Sequence, residues 1–314
     1  MSEIRKRQKS KENVAEDVKD VKESNPIQAP QRKSPINSLR IFSRMAVIIS
    51  LLTIVYFTSK DEKLKTFAKQ SEVLTGKGLV IECSPEYLKE INQYSGCFPR
   101  ECKRFVTDQI VTASEVTELL QIAKKGLKLG GSSGGASILD LHSGALSMGQ
   151  HFVNFYKTDQ GKNVFTESDF NIYRVVKEKI KYAVAHHFSL NPGKIYLTHP
   201  TFFSEITSKA AVTVHDEYWH PHVDKDTYKS FHYTTLLYLS DYSTDFEGGR
   251  FVFIDGKFNR TVEPRKGRVS MFTSGKENLH YVEKVKSGTR YAMTISFTCD
   301  NSYGIEDPSI SKYQ

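Results

Sequence analysis

Residues 194–203 (KIYLTHPTFF), 232–240 (HYTTLLYLS), 249–255 (GRFVFID), 267–273 (GRVSMFT) and 290–298 (RYAMTISFT) decide the fold. All are rich in the branched and aromatic side chains that suit a pleated, half-buried surface. Gly248, Gly249, Gly256, Pro264, Gly267, Gly275 and Gly288 punctuate them as turns. Many short strands so spaced predict a barrel or sandwich. N-terminal to Pro192 the period changes. Phe170, Ile172, Val175, Val176, Ile180, Ala183 and Val184 recur at three and four, which predicts a helix over Thr166–Phe188. An earlier helix opens on a capping box, Thr112 with Glu115, continues through Val116, Leu119, Leu120, Ala123 and Leu127, and is marked as ending at Gly126. Helices followed by strands give an α+β domain whose helices buttress a β-core. Between the helices, residues 129–137 (LGGSSGGAS) match neither the dinucleotide nor the P-loop spacing and are expected to be a flexible loop.

The chemistry sits inside the strand-rich half. In EYWHPHVDKD (217–226), His222 and Asp224 are two apart, so on a strand they would share one face. His280, in ENLHYVEKV, supplies a second imidazole before the last strand. Two His and one carboxylate on one face of an octahedral ion leave open positions for a chelating co-substrate and O2, the arrangement of non-haem Fe(II) oxygenases. Ten residues further, Arg290 can grip a distal carboxylate with paired hydrogen bonds, as 2-oxoglutarate requires. Tyr238 could add a hydroxyl to that carboxylate. Competing donors lie nearby, His220 on the same expected strand face and His215 with Glu217. Zinc hydrolysis is the rival metal chemistry, but it has no use for a dicarboxylate grip. A silent binding or scaffolding module that keeps the barrel is the non-enzymatic alternative.

These residues, with GGASILDLHSGALS, PTFFSEI, YTTLLYLSDY, TVEPRKGRVSMFTSG and GIEDP, make the chain resemble the prolyl-4-hydroxylase-like family of Fe(II)/2-oxoglutarate dioxygenases over roughly residues 78–308. The resemblance implies a double-stranded β-helix (jelly-roll) core at about 195–300 in a domain spanning 105–305. It implies Fe(II) on His222, Asp224 and His280, and Arg290 on the 2-oxoglutarate C5 carboxylate. It also implies O2 as co-substrate, L-ascorbate as reductant, and hydroxylation of a C–H bond, prolyl among the options, with release of succinate and CO2. Relatives often carry Tyr three residues before the first His; here Trp219 stands there, beside Tyr218.

The N-terminal part sets location. The chain has 314 residues and a net charge of +8, which raises nucleic-acid binding. Residues 1–44, however, carry eleven basic against six acidic side chains, more than half of that excess. With three prolines and no Trp, Tyr or Cys, this stretch is expected to be a disordered cytosolic tail, and no nucleic-acid partner is expected. Fifteen uncharged residues follow, Met45–Ser59; with Ile41 and Phe42 they predict a single membrane-spanning signal anchor over 41–59. Residues 60–104 are expected to form a charged stalk (60–75) and a cysteine-containing segment. Basic residues are balanced across the anchor, so orientation rests on other features. All four cysteines (Cys83, Cys97, Cys102, Cys299) lie after the helix, as does the Asn259 sequon, read as lying in a lumenal loop. A type II protein with residues 60–314 in the secretory lumen and a lumenal protein substrate is therefore expected. The cysteine pairing stays open at this level.

Overall fold

A computed structural model describes residues 38–59 and 64–309 of the chain. The tail expected over 1–44 lies outside the described residues as far as residue 37. The described residues fall into two units, divided at Thr58/Ser59.

Among the described residues, the first unit is the helix Ser38–Ser59 without its last residue. Its stretch Leu39–Tyr56 is long and apolar enough to cross a membrane. Leu, Ile and Val are exposed all round it, as on a helix that buries no stripe against protein.

The second unit is a mixed α+β jelly roll. A large sheet runs, in spatial order, through Lys77–Ile81, Cys102–Thr107, Val269–Thr273, Tyr233–Tyr238, Val285–Thr298, Tyr196–Thr207, Ala136–Leu139 and Ala145–Gly149. A smaller sheet pairs Leu64–Ala68 with Asn259–Val262 in parallel, then continues antiparallel through Phe251–Phe253 to His280–Val282. All six residues of Tyr233–Tyr238 are buried because both faces of the large sheet are covered. Alternation sorts them. Tyr233 and Leu237, with Met271, Met293 and Ile295, pack toward a core that includes Leu119, Ile122, Val176, Ile180 and Val184 of the two helices. Leu236 and Tyr238 turn inward with Phe272 and Ala292 and meet Phe251, Phe253 and Val262 of the smaller sheet.

The helices are Ala113–Leu127 and Glu167–Phe188. Thr112 with Glu115, and Thr166 with Asp169, form reciprocal capping boxes at their starts. Gly126 does not end the first helix. It lies within it, where a Cβ would come 2.4 Å from Leu139 Cδ2 and 2.8 Å from Phe165 Cζ. The glycine permits the helix to sit close on the sheet.

Three further expectations change. Leu64–Ala68, inside the stretch read as a stalk, is a strand of the smaller sheet with Phe67 and Ala68 buried. Asn259 begins a strand rather than sitting in a loop, and Thr261 of its sequon is fully buried. The Gly-rich stretch is structured, because it wraps a carboxylate. Asp216 accepts from Ser132 Oγ (2.8 Å), Ala136 N (3.2 Å) and Thr213 N (2.9 Å), and a Cβ on Gly134 would lie 2.3 Å from its carboxyl carbon.

The cysteines pair as Cys83–Cys102 and Cys97–Cys299. The first closes a short loop around the helix Pro85–Ile91; the second ties that segment to the end of the last long strand.

Candidate functional site

The large sheet, the smaller sheet and the segment 214–231 enclose a cavity of about 560 Å³. Its wall includes His222, Asp224, Tyr228, Phe251, Phe272, His280 and Arg290.

His222 and Asp224 do not share a strand. His222 forms an isolated antiparallel bridge with His280, and Asp224 opens the short helix Asp224–Thr227. The three side chains converge all the same. His222 Nε2 lies 3.8 Å and His280 Nε2 3.7 Å from Asp224 Oδ1. All three donor atoms fall within 4.8 Å of one another, the metal-capable group among the described residues. Each imidazole is oriented from behind. Nδ1 of His222 is 2.9 Å from the His220 carbonyl and Nδ1 of His280 is 2.8 Å from the Asn278 carbonyl. A carbonyl accepts only from N–H, so both Nε2 atoms are left as lone-pair donors. Asp224 Oδ2 accepts from the Thr234 hydroxyl (2.7 Å), which lies 2.8 Å from Ser274 Oγ. Burial pushes the His280 imidazole below its usual value, against the pull of Asp224, so the neutral, ligating form is favoured. Phe251 stacks on the His280 ring at 4.8 Å.

Arg290 is fully buried in the same cavity wall. Nε donates to the Gly249 carbonyl at 2.9 Å, and Nη2 has no hydrogen-bond partner in this structure. A buried guanidinium N–H without an acceptor is costly, and a carboxylate in the cavity would satisfy it. Gly249 has φ +62°, and a Cβ there would come 3.1 Å from Arg290 Cδ, so the chain approaches the guanidinium as only glycine readily allows.

Tyr238 lies fully buried beside Arg290. It does not line the cavity; its ring lies 5.5 Å from the guanidinium carbon and its hydroxyl lies 3.5 Å from Ser270 Oγ. Tyr218 does line the cavity, its hydroxyl accepting from Val285 N at 3.0 Å and keeping its own proton to donate. Trp219 turns away to a Lys284 Nζ 3.9 Å from its ring centroid. His220 pairs with Glu217 at 3.4 Å, and His215 stands edge-on to Phe152. Thr234, Ser274, Asn278, Gly249 and Tyr218 carry no sequence signal beyond their neighbours, apart from the adjacency of Tyr218 to the expected position.

Known proteins bear on this geometry. The model of the 2OG-Fe(II) oxygenase superfamily matches residues 208–298. The mouse protein named 2-oxoglutarate and iron-dependent oxygenase domain-containing protein 3 is 53% identical over 278 residues, 87% of this chain and 88% of its own. Its human counterpart is 52% identical over 265 residues, 84% of this chain and 83% of its own. Human prolyl 3-hydroxylase 2 is 43% identical over 74 residues, 23% of this chain and 10% of its own. Among solved structures, a Trichoplax adhaerens prolyl hydroxylase in complex with a hypoxia inducible factor peptide aligns at TM-score 0.41 and 14% identity, over 68% of this chain and 87% of that one.

Proposed function

The chain belongs to the 2-oxoglutarate and iron-dependent oxygenases, and from that premise we propose that it is a membrane-anchored dioxygenase that hydroxylates a C–H bond of a lumenal protein. The observation that carries the reading is the unpartnered Nη2 of Arg290, buried in the cavity that also holds His222, Asp224 and His280. A hydrolytic zinc site would have no use for that buried donor.

Fe(II) with 2-oxoglutarate, when bound, supplies the activation of O2 for C–H hydroxylation, releasing succinate and CO2. The protein's own part is positioning. His222, Asp224 and His280 would hold the metal on one face and leave the other open. Arg290 would take the far carboxylate of 2-oxoglutarate, with the Gly249 carbonyl aiming its fork. Tyr218 would donate its free proton to the same co-substrate, and Tyr238 would hold the guanidinium in place by its ring. Phe251 and Phe272 keep water from the buried imidazole. L-ascorbate would serve as the reductant that keeps the iron ferrous.

Two disulfides in the second unit support an oxidising compartment for it, and the apolar helix supports a membrane anchor. The stretch shared with prolyl 3-hydroxylase 2 supports a prolyl side chain as the site of hydroxylation. The test is the full chain in detergent micelles, supplied anaerobically with Fe(II) and 2-oxoglutarate and then with O2. Succinate formation, or Fe(II)-dependent binding of 2-oxoglutarate, is expected; well-folded protein that does neither would sink the reading. Mass spectrometry of lumenal proteins from wild-type and His222→Ala cells then finds the substrate by a lost hydroxylation.

A further inference from the structure

The segment between the first three cysteines lies far outside residues 208–298, which the superfamily model matches, yet it touches both loops that carry the candidate ligands. Glu90, on the helix Pro85–Ile91, places Oε1 2.7 Å from Lys225 Nζ. That ammonium also donates to the Lys229 carbonyl (2.7 Å) and the Phe231 carbonyl (3.0 Å), so its three protons are all engaged. Lys225 directly follows Asp224, and its backbone N–H donates to Ser274 O at 3.1 Å. The Glu90–Lys225 contact therefore draws the loop 224–231 into one shape, the shape that presents Asp224.

Arg104 does the same for the other loop. Its Nε donates to Asn278 Oδ1 at 2.7 Å and its Nη2 to the Glu277 carbonyl at 3.1 Å. Asp255 takes the remaining guanidinium edge at 2.8 and 3.0 Å, and Phe253 stacks beneath at 4.1 Å. Asn278 is the residue whose carbonyl accepts from His280 Nδ1. Ser84 N adds a third tie, to Glu277 Oε2 at 3.1 Å. Cys83–Cys102 closes the loop that carries Glu90 and fixes it to the strand Cys102–Thr107, on which Arg104 lies, and Cys97–Cys299 fastens that loop to the end of the last long strand.

We propose that the loop closed by Cys83–Cys102, together with the strand Cys102–Thr107 to which it is tied, is a positioning element of the metal centre, with Glu90 setting Asp224 through Lys225 and Arg104 setting His280 through Asn278. The proposal rests on the reading of His222, Asp224 and His280 as iron ligands. Partners behind a ligand orient it, and their loss typically weakens metal affinity by about 10–100-fold.

The experiment titrates Co(II), as a spectroscopic stand-in for Fe(II), into the full chain in detergent under anaerobic conditions. Glu90→Ala is the first variant because its carboxylate is half-exposed and its removal leaves the apolar core intact. Arg104→Lys is the second. Lys177→Met is the matched control: it removes a buried ammonium paired with Asp307 at 2.7 Å, on the helix Glu167–Phe188 and away from the cavity. The wild-type chain is expected to bind Co(II) with the ligand-field bands of an imidazole–carboxylate site. Glu90→Ala and Arg104→Lys are expected to weaken it about tenfold, with altered bands. Lys177→Met is expected to lower Tm and keep the wild-type Kd. Wild-type affinity and bands in Glu90→Ala, or an equal weakening in Lys177→Met, overturns the proposal while leaving the metal centre standing. A wild-type chain that binds no Co(II) overturns the reading of the site and the proposal with it.

Discussion

His222 and His280, 58 residues apart in sequence, are locked to each other through the backbone: the N–H of each donates to the carbonyl of the other, at 2.9 and 3.0 Å. Their ring centroids consequently sit 4.4 Å apart before any metal is considered. The geometry of the pair is built into the fold rather than imposed by a ligand, and the surrounding contacts make definite predictions.

Thr234→Val removes the hydroxyl that donates to Asp224 Oδ2 while keeping the shape of the side chain. Asp224 then gains a rotamer freedom that the wild type lacks. Co(II) or Fe(II) affinity should fall by about 10–100-fold with little change in Tm. Unaltered affinity in a calorimetric titration would show that the hydroxyl does not orient the carboxylate.

Arg290→Met should raise the KM or Kd for 2-oxoglutarate by ~100-fold or more, the usual scale for truncating one partner of a buried charged pair. Metal affinity should stay near wild type, because Arg290 makes no contact with the three donors. Gly249→Val should act in the same direction through the misplaced guanidinium. If both variants bind 2-oxoglutarate as the parent does, Arg290 is not its anchor.

Asp216 gives a pH dependence. Burial raises its carboxyl, but hydrogen bonds from Ser132, Thr213, Ala136 and Val212 outweigh that and hold it at about 2, below the ordinary 3.8. A carboxyl depressed in the folded state contributes stability that is fully present above its unfolded value and disappears as pH falls through the folded one. Part of the acid destabilisation between about pH 4 and pH 2 should therefore vanish in Asp216→Asn, which starts less stable at neutral pH. Parallel Tm–pH curves for parent and variant would count against it.

Cys97→Ala with Cys299→Ala opens a link spanning 202 residues, whereas Cys83→Ala with Cys102→Ala opens one spanning 19. Loop-closure entropy makes the long link the more stabilising, and its loss should cost ~2–5 kcal/mol. Denaturant titration of the two double variants should rank them in that order.

The sequence is informative where the chemistry needs adjacent or regularly spaced residues. The capping box at Thr112 and the three-and-four spacing over Thr166–Phe188 are local, and the structure has a capped helix at each place. His222, Asp224, His280 and Arg290 could be singled out because their types and order are themselves the signal. Glu90 and Arg104 could not, because each acts across a long stretch of chain, and Thr234 and Asn278, only ten and two residues from the ligands they orient, act through a single hydrogen bond that leaves no period behind. Leu64–Ala68 was legible only as charged sequence, since five residues with two buried do not alternate long enough to declare a strand. Gly134 looked like slack because its reason, a carboxylate 2.3 Å from where a Cβ would sit, comes from residue 216.

The long disulfide also sets a timetable. During synthesis Cys83 and Cys102 can meet once the first third of the chain has emerged, but Cys97 must wait for Cys299, which follows His280 by nineteen residues. Every candidate ligand is thus already out of the ribosome when the last covalent tie is made. The loop that carries Glu90 is therefore tied to the end of the last long strand only after the whole of the large sheet has been synthesised.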